Sequence, residues 1–516
     1  MSAMFRSLSS VNYRLWFIGA LVSNIGSWMQ ATTQNWVVLT ELTDNDAVAV
    51  GVTMALQFGP QLVLVPITGL IADRFDRRKI LMVTQTALMV LGLALGVLLI
   101  AGHATIWHLY AFALALGIVN AVDAPARQTF VADLVAEHNM SNAVALNSAS
   151  FNAARLIGPA VAGFLIVLIG SGWVFVVNAV TFVAVLGALA ALRVDQLRPR
   201  KPRTRGRGDL AAGLHYVRRR PDLIVVFAIV FILGAFGMNF PIFSSTMAVE
   251  FGRGAGEYGM LSSILAIGSL TGALLAARRD RARLRVIVGA AGAFGLATFA
   301  AVVMPTYWSF AASTILIGFT AVTLLTTANG YVQTTTDPDV RGRVMALYMA
   351  ILMGGAPVGA PIVGAIANGL GPRWALGAAS VAAVVACGIG LAWMVVARGL
   401  RIVRDPDARF GLAVTHHGQG RADAPGLVDG VRQPAPAITS PIAVVAANPP
   451  EHSCPRTRPE PPVPAEFSEE VAVTSPIPLP KRGWTAPAGS AARTVRGSEL
   501  TSRRREPRRN GLRTRR

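Results

Sequence analysis

Long apolar runs broken by short polar or charged connections recur twelve times between residues 13 and 397. By hydropathy they lie at 13–40, 47–72, 79–101, 105–126, 141–169 and 172–192, then at 222–246, 257–277, 284–304, 306–330, 343–369 and 372–397. Each is long enough to cross a hydrocarbon core of about 30 Å as a helix, and several are long enough to tilt or protrude. The pattern predicts an all-α polytopic membrane protein with twelve transmembrane helices in two six-helix bundles. The expected domains are 1–192, a cytoplasmic linker 193–221, a second bundle 222–399 and a disordered, basic tail 400–516.

Composition agrees, since 53% of the 516 residues are hydrophobic and only 14% are charged, too few to coat several soluble domains. The formal net charge of +20 invites a nucleic-acid reading, but the cations sit in short inter-run segments and in the tail. The terminal RRREPRRNGLRTRR has no interleaved aromatics to stack bases, so anionic inner-leaflet lipid is its expected partner and nucleic acid is not. Arginine far outnumbers lysine, and Ala, Gly and Val are abundant, which suggests a GC-rich bacterial genome. The first apolar run is too long for a cleaved signal sequence. Cys387 and Cys454, in a run and in the tail, make no evident disulfide or metal framework.

Orientation follows from the loops. Basic residues collect at Arg74–Lys79, Arg198–Arg207 and Arg278–Arg285, whereas ELTDNDA, GHATIW and GSG carry almost none; Arg253 and Arg373 are isolated exceptions. The positive-inside rule puts the basic loops and both termini in the cytoplasm, at the inner membrane of a bacterium. Two readings fit the linker, a disordered connection or an interfacial helix capped by Asp209, with Leu210, Leu214 and Val217 on one face and Pro221 at its end.

The stretch GLIADRFDRRKIL, from Gly69 to Leu81, ends an apolar run with two acids and four cations. A helix C-terminus and a cytoplasmic edge explain the cations, but not Asp73 at the membrane boundary. Gly69, one turn earlier, lets another helix approach. Gly69, Asp73, Arg74, Arg77, Arg78 and Lys79 together resemble the loop 2–3 signature of the major facilitator superfamily. The resemblance spans residues 5–400 and implies a conformational gate, in which Asp73 faces Gly342 at the start of helix 11 with Arg127 nearby, holding the outward-open state. GALLAARRDRARL repeats the pattern with Ala276 in place of the acid, so the gate is expected to be asymmetric. VDAPARQTFVADLV, NSASFNAARLIGPAVAG and MQATTQNWVVLTELT look most like the siderophore-exporter and multidrug-efflux branch.

Alternating access needs a polar cavity between the halves. Ser23, Ser27, Gln30 and Gln34 make one stripe on helix 1, with Asn24 beside it; cavity lining and interhelical polar glue both account for it. Gln57 and Gln61 flank a Gly59-Pro60 break, Asn152 and Arg155 share a face of helix 5, and Asn239 joins from helix 7. Arg155 attracts a substrate anion, pairs with Asp123, or lies near the cytoplasmic edge. Its surroundings, RLIGPAVAG, partly resemble the helix 5 antiporter motif, with Ala154 where that motif has Gly. Gly158 and Pro159, and in helix 11 Pro357 and Pro361, are expected helix breaks. Asp123 is the candidate proton-coupling carboxylate, although an ion pair with Arg127 or Arg155 explains it equally well.

These features predict a secondary transporter exporting amphipathic small molecules, drugs or siderophore-like compounds, by proton antiport. No phosphate loop of the form G-x-x-x-x-G-K-[ST], nucleophile–base pair or metal-ligand group is visible, so no enzyme activity, cofactor or metal is expected. Nutrient import on the same fold, or a scaffold acting through its basic tail, are the alternatives.

Overall fold

The structure, a computed structural model, describes residues 3–197, 210–278, 282–398, 401–404 and 412–415. The first half is built from α1 (Val11–Thr40), α2 (Ala47–Arg74), α3 (Arg77–Ile100), α4 (Ile106–Leu134), α5 (Met140–Ile169) and α6 (Ser171–Ala190). A short helix, α7 (Leu210–Arg218), precedes the second half. That half comprises α8 (Pro221–Ile232), α9 (Phe240–Glu250), α10 (Ala255–Ala277), α11 (Leu284–Val302), α12 (Tyr307–Thr335), α13 (Arg341–Leu370) and α14 (Pro372–Arg398).

Among the described residues, eleven stretches are helical, long and apolar enough to cross a membrane, with α8 and α9 counted as one. The twelfth expected span, α1, has 30 residues, or about 45 Å at 1.5 Å per residue, but its polar stripe keeps it out of that set. The protein is thus an all-α membrane protein, as its apolar runs predict.

Helix ends follow local chemistry. Asp46 caps α2 by accepting from the backbone N–H of Val48 and Ala49, and Asp76 caps α3 through Arg78 and Lys79. Asp76 is thereby explained without a gating role. The helices α4 and α12 run on to Leu134 and Thr335, past where hydropathy ends them, because their polar last turns keep helical hydrogen bonding.

The expected breaks fall elsewhere. Helix α5 continues through Gly158 and Pro159, α13 through Pro357 and Pro361, and α2 through Gly59-Pro60. In long, packed helices a proline's lost hydrogen bond bends the axis without ending it. The true interruption is in the predicted span 222–246, where Leu233–Gly237 forms a π-turn between α8 and α9. It sits against α13, where a Cβ on Gly359 would collide with the Ala235 carbonyl.

The linker helix forms, but on a different face. Val217 is buried and Gly213 lies against Arg343 of α13, while Leu214 is exposed. Asp209, the basic stretch 198–209 and most of the tail lie outside the described residues. Within the tail, β1 (Arg401–Arg404) pairs antiparallel with β2 (Leu412–Thr415), a short ladder the disorder expectation did not include.

Candidate functional site

Two helix pairs join the halves, α2 with α13 and α5 with α10. They pack tightly at the end that carries the ELTDNDA loop. A Cβ on Gly51 would stand 2.4 Å from the Ala360 carbonyl oxygen, and one on Gly364 would stand 2.4 Å from that of Ala47. Across the other pair, a Cβ on Gly163 would stand 2.7 Å from the Ala255 oxygen, and one on Gly259 2.3 Å from that of Pro159. Only glycine permits such backbone approach.

Side chains lock this end further. Asn368 Nδ2 donates to Asp46 Oδ1 at 2.6 Å, and Asn368 Oδ1 accepts from the Ala47 N–H at 2.8 Å. Trp36 stacks on Tyr258 at 5.5 Å. Ser263 donates to the Leu156 carbonyl at 2.7 Å.

Toward the basic loops no described glycine makes such a backbone approach across these pairs. Midway along α2, the Leu62 side chain reaches α13, 3.2 Å from where a Cβ on Gly354 would sit. At Gly342, among the described residues, nothing stands within 4 Å of such a Cβ. Val144, Phe151, Leu270 and Leu274 on the corresponding parts of α5 and α10 are exposed. Gly69 and Asp73 lie in the final turns of α2, and their side chains are outside the described structure.

The expected gate cations are engaged inside their own half. Arg77 donates to both carboxylate oxygens of Asp133 on α4, at 2.7 and 2.9 Å. Arg78 covers the C-terminal carbonyls of α6, with Nε 2.8 Å from the Leu189 oxygen. Arg74 is exposed. One exception to the charge rule has similar employment, since Arg373 donates to the carbonyls of Val302 and Met304. Beside the linker, Arg220 pairs with Asp222 at 2.8 Å, and this hydrogen-bonded carboxylate holds its guanidinium further above its usual range.

The α1 stripe divides among partners. Gln30 is buried and accepts from Asn178 of α6 at 2.6 Å, which makes it glue within the first half rather than cavity lining. Gln34 donates to Gln57 of α2 at 3.2 Å, while Gln61 donates weakly to the Gln57 carbonyl. Ser27 is exposed and donates to the Ser23 carbonyl; Asn24 is half-buried beside it. Asn239 is buried and donates to the Ala235 carbonyl, closing the π-turn rather than lining a wall. Ser23 Oγ, Gln34 Oε1 and Asn239 Oδ1 are buried without a partner among the described residues, which is uncommon for polar atoms so enclosed.

Arg155 and Asp123, candidates for mutual pairing, have different partners. Asp123 on α4 is buried and accepts from Arg127 Nε at 3.0 Å, Thr84 at 2.6 Å and Gln85 at 2.7 Å. Arg127 is therefore committed to Asp123, with its guanidinium 5.8 Å from the Trp16 ring. Thr84 and Gln85 of α3 escaped sequence reasoning, and their adjacent polar positions within an apolar run are the signal that marks them. Arg155 instead lies over the Trp28 ring at 5.7 Å, and Asn152 donates to the Ser148 carbonyl one turn away.

Residues 2–400 match the family described as transmembrane secretion effector. The chain is 31% identical over 175 residues to the staphyloferrin A transporter of Staphylococcus aureus, a match covering 34% of this chain and 44% of that protein, less than half its length. It is 24% identical over 362 residues to the enterobactin exporter of Salmonella typhimurium, covering 69% of this chain and 85% of that one. In fold it resembles a bacterial homolog of the human lysosomal transporter Spinster at 14% identity, with a TM-score of 0.59 over 74% of this chain and 96% of that one. A D-xylose–proton symporter gives the same TM-score of 0.59 at 13% identity, over 74% and 97% of the two chains. With the paired-bundle geometry and the loop 2–3 signature, these matches identify the chain as a member of the major facilitator superfamily, in its family of transmembrane secretion effectors.

Proposed function

We propose that this chain is a secondary exporter of amphipathic small molecules in a bacterial inner membrane, working by alternating access with α1 as its twelfth span. The observation that carries the reading is the contrast along α2 and α13: backbone against backbone near Gly51 and, among the described residues, nothing within 4 Å of a Cβ on Gly342. By the positive-inside rule the basic loops and both termini are cytoplasmic, so the separated end faces the cytoplasm and loads substrate from within. The names of the staphyloferrin A and enterobactin relatives support siderophore-like cargo, and the orphaned Ser23 and Gln34 atoms support a polar interior. In the opposite conformer Asp73 meets the first turn of α13 and closes the inner end.

Proton antiport supplies the drive in this reading. The three donors on Asp123 favour a structural ion pair there, so coupling resides elsewhere. Substrate-dependent pH change in proteoliposomes tests both points. Wild type should acidify the compartment from which substrate is taken, and Asp123→Asn should lose stability while any folded protein keeps its proton-to-substrate ratio. Flux indifferent to a pH gradient would remove antiport. Cells that accumulate more of a fluorescent amphiphile when they express the protein would reverse the direction.

A further inference from the structure

We propose that Arg155, Trp28 and Phe151 form one subsite that takes an aromatic acid, with the guanidinium on the anionic group and the two rings on the substrate's ring. The inference rests on the transporter reading and names a substrate class for it. Arg155 lies in the middle of α5, where a cation is costly unless compensated. Among the described residues no carboxylate lies within salt-bridge distance of it, in contrast to Arg77, Arg127 and Arg220. Its close partner among the described residues is the face of Trp28 at 5.7 Å.

Trp28 in turn stands edge-to-face with Phe151, their centroids 5.7 Å apart at 69°. Phe151 is one turn nearer the separated end of the molecule and is 48% exposed. The arrangement is held by backbone packing. A Cβ on Gly158 would stand 2.5 Å from Trp28 Cβ, so only glycine lets α1 and α5 approach enough to set the indole under the guanidinium. A planar cation over one ring, itself edge-to-face with a second, and without a counter-ion among the described residues, is complementary to a flat anion. An anionic group completes the charge, and an attached ring extends the existing stack. A cationic amphiphile of the same size meets repulsion at the same place.

Binding to the purified full chain, followed by calorimetry, tests this with three probes: 1-naphthalenesulfonate, cyclohexanecarboxylate and 1-naphthylmethylammonium. Wild type should prefer naphthalenesulfonate. Arg155→Gln should weaken that binding at least tenfold while leaving the ammonium probe no weaker, and Arg155→Lys, which keeps charge but loses the plane, should weaken it about threefold. Trp28→Leu should weaken naphthalenesulfonate about tenfold and cyclohexanecarboxylate less than twofold. Equal binding of the sulfonate by wild type and Arg155→Gln, or preference of wild type for the ammonium probe, overturns the subsite. Flux in proteoliposomes separates the two readings. Binding that follows charge without any flux leaves the subsite and removes transport, whereas flux indifferent to Arg155 does the reverse.

Discussion

The two ends of the α2–α13 and α5–α10 pairs are held by different physics. At the ELTDNDA end, backbone touches backbone through Gly51, Gly364, Gly163 and Gly259, and side chains such as Asn368 add a clasp across the halves. At the basic-loop end, charges are plentiful, yet Arg77 and Arg78 bind within the first half and Arg127 does likewise. Charge density is therefore no guide to which end is sealed. Small residues at helix crossings are.

The largest effect should come from adding volume to the seal. Gly259→Val places a branched side chain against the Pro159 carbonyl; overpacking of this kind costs about 1–3 kcal/mol, enough to shift a two-state ratio on the order of tenfold to a hundredfold. Thiol-reactive labelling of cysteines placed in the sealed seam should then rise, and transport should collapse. Unchanged labelling would mean that the close approach does not hold the state. Next, Asp73→Asn should move the population the other way, toward the form described here, by roughly tenfold if it removes a charge-assisted hydrogen bond of about 1.5 kcal/mol. Spin labels at the exposed Asp44 and Gly369 would report no separation of the sealed end in that variant; a lengthened distance contradicts the gate.

Asn368→Ala sharpens the comparison from the sealed side. Losing the clasp to Asp46 should cost about 1 kcal/mol and broaden the same label distances, with about a fivefold gain in the open population. A variant indistinguishable from wild type assigns the seal to glycine packing alone. The smallest effect belongs to Arg77→Ala. Its ion pair with Asp133 lies within one half, so stability should fall by about 1 kcal/mol while the label distances stay put. A shift in those distances would give the basic loop a gating role after all.

Much of the fold was legible because helix length and apolar run length are the same quantity in a bilayer. Boundaries drifted where polarity continues inside a helix, as in the last turns of α4 and α12, since hydropathy registers lipid and not hydrogen bonding. The interruption at Leu233–Gly237 gave no apolar signal, and the Gly/Pro pattern of α13 pointed to a break in the wrong helix; its glycines accommodate the π-turn of its neighbour. On α1 the spacing placed Ser23, Ser27, Gln30 and Gln34 on one stripe, but tilted neighbours divide that stripe, sending Gln30 to Asn178 and Gln34 to Gln57. The clasp was half visible: Asp46 reads as a helix cap, but nothing in the sequence joins it to Asn368, more than three hundred residues away.

The polarity of α1 also bears on how the chain is made. A first segment that carries this many amides is expected to insert with the help of the partners that absorb them. The earliest of these, Gln57, emerges with α2, and the last, Asn178, only with α6. In an insertion assay with glycosylation tags, residues 1–45 alone should integrate poorly and a hairpin extended through α2 should integrate well; efficient integration of the short piece would show that its biogenesis needs no such help.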